Sequence, residues 1–198
     1  MKSVVIASNN SHKVAEIKAA LAFDGWEFHT LGDLGVSSDP VEDAETFEGN
    51  ARIKAQAAHA ATGLAALADD SGIVVDALGG APGVLSARYA GVQGSDADNN
   101  TKLLNELEGV PDNLRTGRFV CALVFIDQDG TETSVQGVIE GTIGHAPQGK
   151  GGFGYDPLFF PSAYQGEKTL AEVDQDQKNA ISHRGNALRA LRDALARA

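Results

Sequence analysis

Two neighbouring carboxylates, Asp69 and Asp70, close the apolar run "LAALADD", and Ser71 and Gly72 follow them. A hard cation such as Mg²⁺ takes one or two carboxylates and completes its shell with water and phosphate oxygens. Adjacent strand residues point to opposite faces, so both aspartates serve one ion only if the strand ends between them. Asp70 with Glu42, from the acidic stretch Gly32 to Glu45, would make such a site. Taken alone, "DDSG" reads more simply as a solvated turn.

Three other stretches carry chemistry-bearing residues. "SNNSHK" (Ser8, Asn9, Asn10, Ser11, His12, Lys13) leads out of an apolar strand into a helix. Backbone N–H groups at a helix start attract phosphate. A lysine in the first turn opposes the helix dipole unless it has an anionic partner. The G-x-x-x-x-G-K-[ST] phosphate loop is absent. "KNAISHRGNAL" crowds Lys178, His183 and Arg184 into a chain of net charge −11. Lysine and arginine only donate hydrogen bonds, whereas histidine can do either. Capping by Ser182 beside solvent-facing charges is the plainer alternative. "GKGGFGYDPLFF", Gly149 to Phe160, sets Phe153 and Tyr155 beside Asp156 on a glycine-rich loop. An exposed ring there is either a lid over the core or a stacking platform, worth about 1–3 kcal/mol per base. Gly152 and Gly154 would let it approach a ligand closely. His12, His29, His59 and His145 lack metal-ligand spacing, and there is no G-x-S-x-G elbow. Ser86 and Arg88 read as a helix start or an interface.

The elements that must position these residues follow from periodicity. Ser3–Ala7 reads as a buried strand, and Ser11 as the cap of a helix from about His12 to Phe23. "WEFHT" is a second strand. Thr46 caps a helix from Phe47 to about Thr62, ended by Gly63. "LAALADD" and "IVVDAL" read as two strands separated by "SG". Asp98 or Asn99 starts a helix whose apolar face is Leu103, Leu104 and Leu107. "RFVCALVFID" is apolar on both faces, as a central strand should be. "DQDG" turns it into "TETSVQGVIEG". "PLFF" is a short strand. A last helix starts near Ser182, with Leu188, Leu191 and Leu195 as its stripe and Arg189, Arg192 and Arg197 suited to its C-terminal dipole. The expected fold class is α/β, a mixed twisted sheet with flanking helices, residues 1–198 forming one domain of two lobes around a central cleft.

Totals narrow the function. The chain has 198 residues, 42% apolar and 22% charged, enough for one sizeable core. Its acidity disfavours nonspecific nucleic-acid binding and attachment to a membrane surface. No run approaches the roughly 20 apolar residues of a membrane span, and the N-terminal apolar run is too short for a signal peptide. A cytoplasmic location is expected. The single cysteine, Cys121, excludes an intrachain disulfide and a cysteine zinc cage, and lies in an apolar run as a structural thiol.

Taken together, "TFEGNARIKA", "LADDSGIVVDALGGAPGVLSARYAG", "GKGGFGYDPLFF" and "KNAISHRGNAL" closely resemble the inosine/xanthosine triphosphate pyrophosphatases, over essentially the whole chain and in the family's order. The resemblance implies a long mixed sheet with two lobes, a homodimer, and Mg²⁺-dependent conversion of ITP, dITP or XTP to the monophosphate and pyrophosphate. It implies a phosphate loop at Ser8 to Lys13, metal and catalytic carboxylates at Glu42 and Asp70, and a substrate contact at Ser71. Phe153, Gly154, Tyr155, Asp156, Lys178, His183 and Arg184 would form the nucleoside pocket, with Arg184 a donor to the purine 6-oxygen. Asp70 or Asp69 would orient or deprotonate the attacking water. Asn9 stands where the family's loop usually has glycine, and asparagine is the next most tolerant residue at positive φ. The acidic loop "VEDAETF" leaves Asp43 and Glu45 as alternatives to Glu42.

Overall fold

The computed structural model describes residues 1–20, 25–91 and 95–197. Its strands are β1 (Lys2–Ile6), β2 (Trp26–Thr30), β3 (Ala65–Val75), β4 (Thr116–Ile126), β5 (Glu132–Ile143) and β6 (Phe159–Pro161). They form one mixed sheet in the order β2-β1-β3-β4-β5-β6. β1 is parallel to both β2 and β3, with Val4 opposite Phe28 and Ala65, while β6 is antiparallel to β5. Parallel neighbours need crossovers. Helices α1 (Ser11–Ala20) and α2 (Phe47–Thr62) lie in the two crossover connections, and α3 (Asp96–Glu106), α4 (Gln175–Ile181) and α5 (His183–Leu195) complete the chain.

The chain forms two compact units. One comprises Met1–Asp70, Cys121–Gly137 and Arg184–Ala198; the other comprises Ser71–Val120 and Val138–His183. In the first unit, strand alternation sorts side chains into two apolar cores. Val4, Ile6, Leu67 and Leu123 pack with Ile17 of α1 and Leu191 of α5. Val5, Ala66, Ala68 and Val124 pack with Ala51, Ala55 and Ala58 of α2. The second unit has one core, around Ile73, Leu103, Phe119, Leu158 and Phe159. Cys121 is wholly buried, and burial pushes its thiol up to about 12, in keeping with a structural role.

Helix α2 has its expected limits. Thr46 accepts from Gly49 N–H at 3.1 Å, and Gly63 takes the left-handed conformation at φ 68°. The hairpin after β4 closes with Asp127 N–H donating to Thr131 O at 2.8 Å. Four expectations are corrected. β3 is one strand of eleven residues, because Ser71 and Gly72 lie between apolar runs in a strand flanked by β1 and β4, where unpaired backbone would be costly. α1 is capped by Asn10, whose Oδ1 accepts from His12 and Lys13 N–H, so Ser11 is already helical; its expected end near Phe23 falls outside the described residues. α3 begins at Asp96, because Ser95 and Asp98 form a reciprocal capping box. The last helix starts at His183, next to the expected Ser182, and α4 is a separate helix before it, set off by Ser182, which is extended at ψ 156°. Of "PLFF", only the phenylalanines are in β6. Among the described residues no helix is long and apolar enough to cross a membrane.

Candidate active site

The first unit carries a charged cluster built on β3. Because the strand is continuous, Asp69 and Asp70 face opposite sides of the sheet. Asp69 points toward α1 and α5. Its Oδ2 lies 3.2 Å from Lys13 Nζ and 2.9 Å from a guanidinium nitrogen of Arg184, and Arg184 also pairs with Glu16. Burial would raise the Asp69 pKa, but Lys13, Arg184 and Lys54 more than reverse this and hold it well below the usual carboxylate range. Lys13 thus has the anionic partner that its place in the first turn of α1 requires.

Asp70 points toward α2. Its Oδ1 accepts from Lys54 Nζ at 3.2 Å, and the same ammonium donates to Glu42 Oε2 at 2.7 Å. Asn50, one turn before Lys54, donates to Asp70 Oδ2 at 3.4 Å and accepts from Ala44 N–H at 3.0 Å. One face of α2 therefore holds both the catalytic-candidate carboxylate and the acidic loop. Gly49 permits this approach: a Cβ there would stand 2.6 Å from the Ala44 methyl. Burial raises the Asp70 pKa, aided by Asp69 and opposed by Lys54 and Lys13. Of the three acidic-loop candidates, Glu42 is half-buried against Lys54, while Asp43 and Glu45 are exposed. The Lys54 ammonium lies between Glu42 and Asp70; two carboxylates that converge on one positive charge fit a divalent ion whose shell is completed by water and phosphate oxygens.

Ser8 and Asn10 shape the turn that enters α1. The Ser8 hydroxyl accepts from Asn10 N–H at 3.2 Å. Gln165 is the one non-glycine residue at positive φ among the described residues, so Asn9 needs no left-handed backbone. Asn9, Asn10, Ser11 and His12 are exposed. Ser71 is half-buried in β3.

The aromatic loop and Lys178 belong to the second unit. Phe153 is half-buried, with Lys178 Nζ 4.6 Å from its ring centroid. Lys178 is buried and donates to Asp156 Oδ2 at 2.7 Å, and the same oxygen accepts from Phe153 N–H at 2.9 Å. Gly152, at φ 71°, sits so close to this carboxylate that any Cβ would collide with it. One expectation for this loop is corrected. Its first residues, 149–152, are exposed but tethered, because Gly151 N–H donates to Ala171 O at 3.0 Å and Gln148 N–H to Pro157 O at 2.8 Å. Tyr155 is not displayed beside Phe153. Its ring is in the core and its hydroxyl donates to Ser86 O at 2.8 Å. His183 is buried, stacked on Phe119 with centroids 4.9 Å apart.

Arg184, expected beside Lys178 and His183, has its guanidinium in the cluster of the first unit with Asp69 and Glu16. A buried arginine needs compensating carboxylates, and these come from α1 and β3. Lys54 and Asn50 escaped the sequence reading. The signal was their i, i+4 spacing on the otherwise alanine-lined α2.

This mixed sheet with flanking helices, with a carboxylate on each face of its third strand and a lysine bound to each, defines an α/β protein with a charged cluster at the centre of its first unit. The chain belongs to the Ham1 family, whose model matches residues 4–194. It is 49% identical over 199 residues to a dITP/XTP pyrophosphatase of Nocardia farcinica, covering 99% of this chain and 96% of that one. It is 50% identical over 189 residues to the dITP/XTP pyrophosphatase of an Exiguobacterium species, covering 95% and 94%. Among solved structures, a HAM1 protein from Coxiella burnetii superposes with a TM-score of 0.89 at 43% identity, covering all of both chains. A nucleoside-triphosphatase/dITP/XTP pyrophosphatase from Mycobacterium abscessus gives 0.78 at 44% identity, covering 96% of this chain and 98% of that one.

Proposed function

We propose that this chain hydrolyses deaminated purine nucleoside triphosphates (ITP, dITP and XTP) to the monophosphate and pyrophosphate, with Mg²⁺ as cofactor. The observation that carries the reading is the convergence of Glu42 and Asp70 on one positive charge, the Lys54 ammonium, in a chain whose relatives are named dITP/XTP pyrophosphatases. Asp70 and Glu42 would hold the ion, which when bound neutralises charge on the phosphate oxygens. Lys13 and the N–H groups of Ser8 to Lys13 would bind the triphosphate tail. Asp69 is committed to Lys13 and Arg184 and keeps them in place, which leaves Asp70, on the other face of β3, as the aspartate to accept the proton of the attacking water. The water oxygen bonds to phosphorus as the α,β-phosphoanhydride bond breaks, and pyrophosphate leaves.

Phe153 would stack on the purine. Lys178 Nζ stands over one face of that ring, which leaves the other face for the base; as a donor only, its ammonium would suit the 6-oxygen of hypoxanthine and xanthine over the 6-amino group of adenine. Arg184 is supported less as a base donor, since its buried partners already claim it. Ser71, Asp156 and His183 complete the pocket of this reading, with Tyr155 supporting it from the core. The reading also includes a homodimer in the cytoplasm, and sedimentation at micromolar concentration tests the dimer by returning two chains per particle.

The deciding experiment is a panel of nucleoside triphosphates with Mg²⁺, read by product. Pyrophosphate and IMP from ITP are expected, with ATP and GTP turned over far more slowly and EDTA stopping the reaction. Orthophosphate and IDP as first products would instead make the chain a terminal phosphatase. Binding without turnover would make it a nucleotide sensor.

A further inference from the structure

Two side chains on the first turns of α3 grip both backbone polar groups of a single residue, Gly154, in the aromatic loop. Asp96 Oδ2 accepts from Gly154 N–H at 2.6 Å, and Asn100 Nδ2 donates to Gly154 O at 2.9 Å. The residues are four apart, so they share one face of the helix. Neither is needed by the helix itself. The cap is Ser95, reciprocated by Asp98, and asparagine is a poor residue for a helix interior. Asn100 is nonetheless buried at 8% exposure, where a polar group without a purpose would be a cost. Its neighbour Asn99 does the same for another segment, accepting from Ala90 N–H and donating to Ala87 O.

Gly154 is at φ 61° with open space where a Cβ would be. Crowding therefore does not hold its backbone; the two side chains do. Gly154 directly follows Phe153, so fixing its backbone fixes the direction of the ring that stands over Lys178.

We propose that Asp96 and Asn100 are positioning residues that aim Phe153 at the purine, and so set affinity for the nucleoside half of the substrate without touching it. This rests on the nucleotide reading above.

The test compares wild type with Asp96→Ala, Asp96→Asn and Asn100→Leu, the last removing the hydrogen bond while conserving volume. Three quantities are measured: KM for ITP, inhibition by IMP, and inhibition by inorganic pyrophosphate, which has no base. In Asp96→Ala and Asn100→Leu, KM for ITP and the IMP constant should rise about tenfold, the scale of one well-placed hydrogen bond. The pyrophosphate constant should stay within about twofold. Asp96→Asn retains an acceptor for Gly154 N–H and should fall between wild type and Asp96→Ala. Equal weakening of IMP and pyrophosphate would mean that the residues only support the fold, and unchanged IMP binding would mean that Gly154 holds itself; either overturns the proposal. A wild-type protein that neither turns over ITP nor binds IMP overturns the nucleotide reading and this inference together, which separates the two failures.

Discussion

Asp69 and Asp70 are consecutive residues of one strand, yet they occupy opposite electrostatic worlds. On one face of β3, Asp69 meets Lys13 and Arg184, and its charge is strongly favoured. On the other, Asp70 shares a single ammonium with Glu42, and its charge is disfavoured by burial. The difference teaches that position in sequence is a weak guide to role when strand alternation assigns each residue to its own set of helices. Asp69 is saturated with cations and behaves as an anchor. Asp70 is short of positive charge, as a ligand for an added cation or an acceptor for a proton should be.

The contrast can be broken most forcefully through the anchor. Asp69→Asn leaves the buried Arg184 and the half-buried Lys13 without their shared carboxylate. It should cost on the order of 3–5 kcal/mol of unfolding free energy, measured by urea denaturation. A loss below about 1 kcal/mol would mean that Glu16 alone satisfies Arg184. Asp70→Asn should do the reverse: kcat for ITP falls by roughly 100-fold or more, while the melting temperature holds or rises, because a carboxylate whose pKa is raised by folding opposes folding once ionised. A large fall in stability with activity kept would exchange the two roles. Next comes the acidic loop. Glu42→Gln should lower activity about tenfold and raise the Mg²⁺ needed for half-maximal rate, whereas Asp43→Asn and Glu45→Gln should stay within about twofold. Equal effects from all three would mean that the loop acts by bulk charge.

The smallest effect is a pH dependence of stability. Asp69 has a depressed folded pKa, so its contribution is complete above the unfolded value of about 4 and fades as the pH falls below it. Asp70 has a raised folded pKa, so its penalty is present at neutral pH and disappears as the pH drops through that folded value. The melting-temperature gap between wild type and Asp69→Asn should therefore persist down to about pH 4 and narrow below it. The gap for Asp70→Asn should close at higher pH than that. Parallel curves for the two variants would show that neither group titrates differently in the folded chain.

Much of this protein is written locally. The Thr46 cap, the alanine stripe and the terminal Gly63 fix α2 within three or four residues of each end. The eight buried residues Phe119 to Ile126 mark β4 as a central strand, and the four long motifs carry the family by themselves. Such features depend on contacts between i and i+4, or on strict alternation, and a sequence displays those directly. What only the tertiary structure decided are pairings across long separations. Nothing near Arg184 announces that its guanidinium joins Asp69, 115 positions away. Nothing in the sequence marks Lys54 until the acidic loop, held by Asn50 on Ala44 N–H, brings Glu42 against it. Tyr155 looked like a displayed ring until Ser86 O, 69 positions earlier, accepted its hydroxyl and the core closed around it. A buried charge or hydroxyl must find a partner somewhere, but sequence states only the need. Which partner answers it depends on which elements the sheet brings alongside, and that is a property of the folded chain.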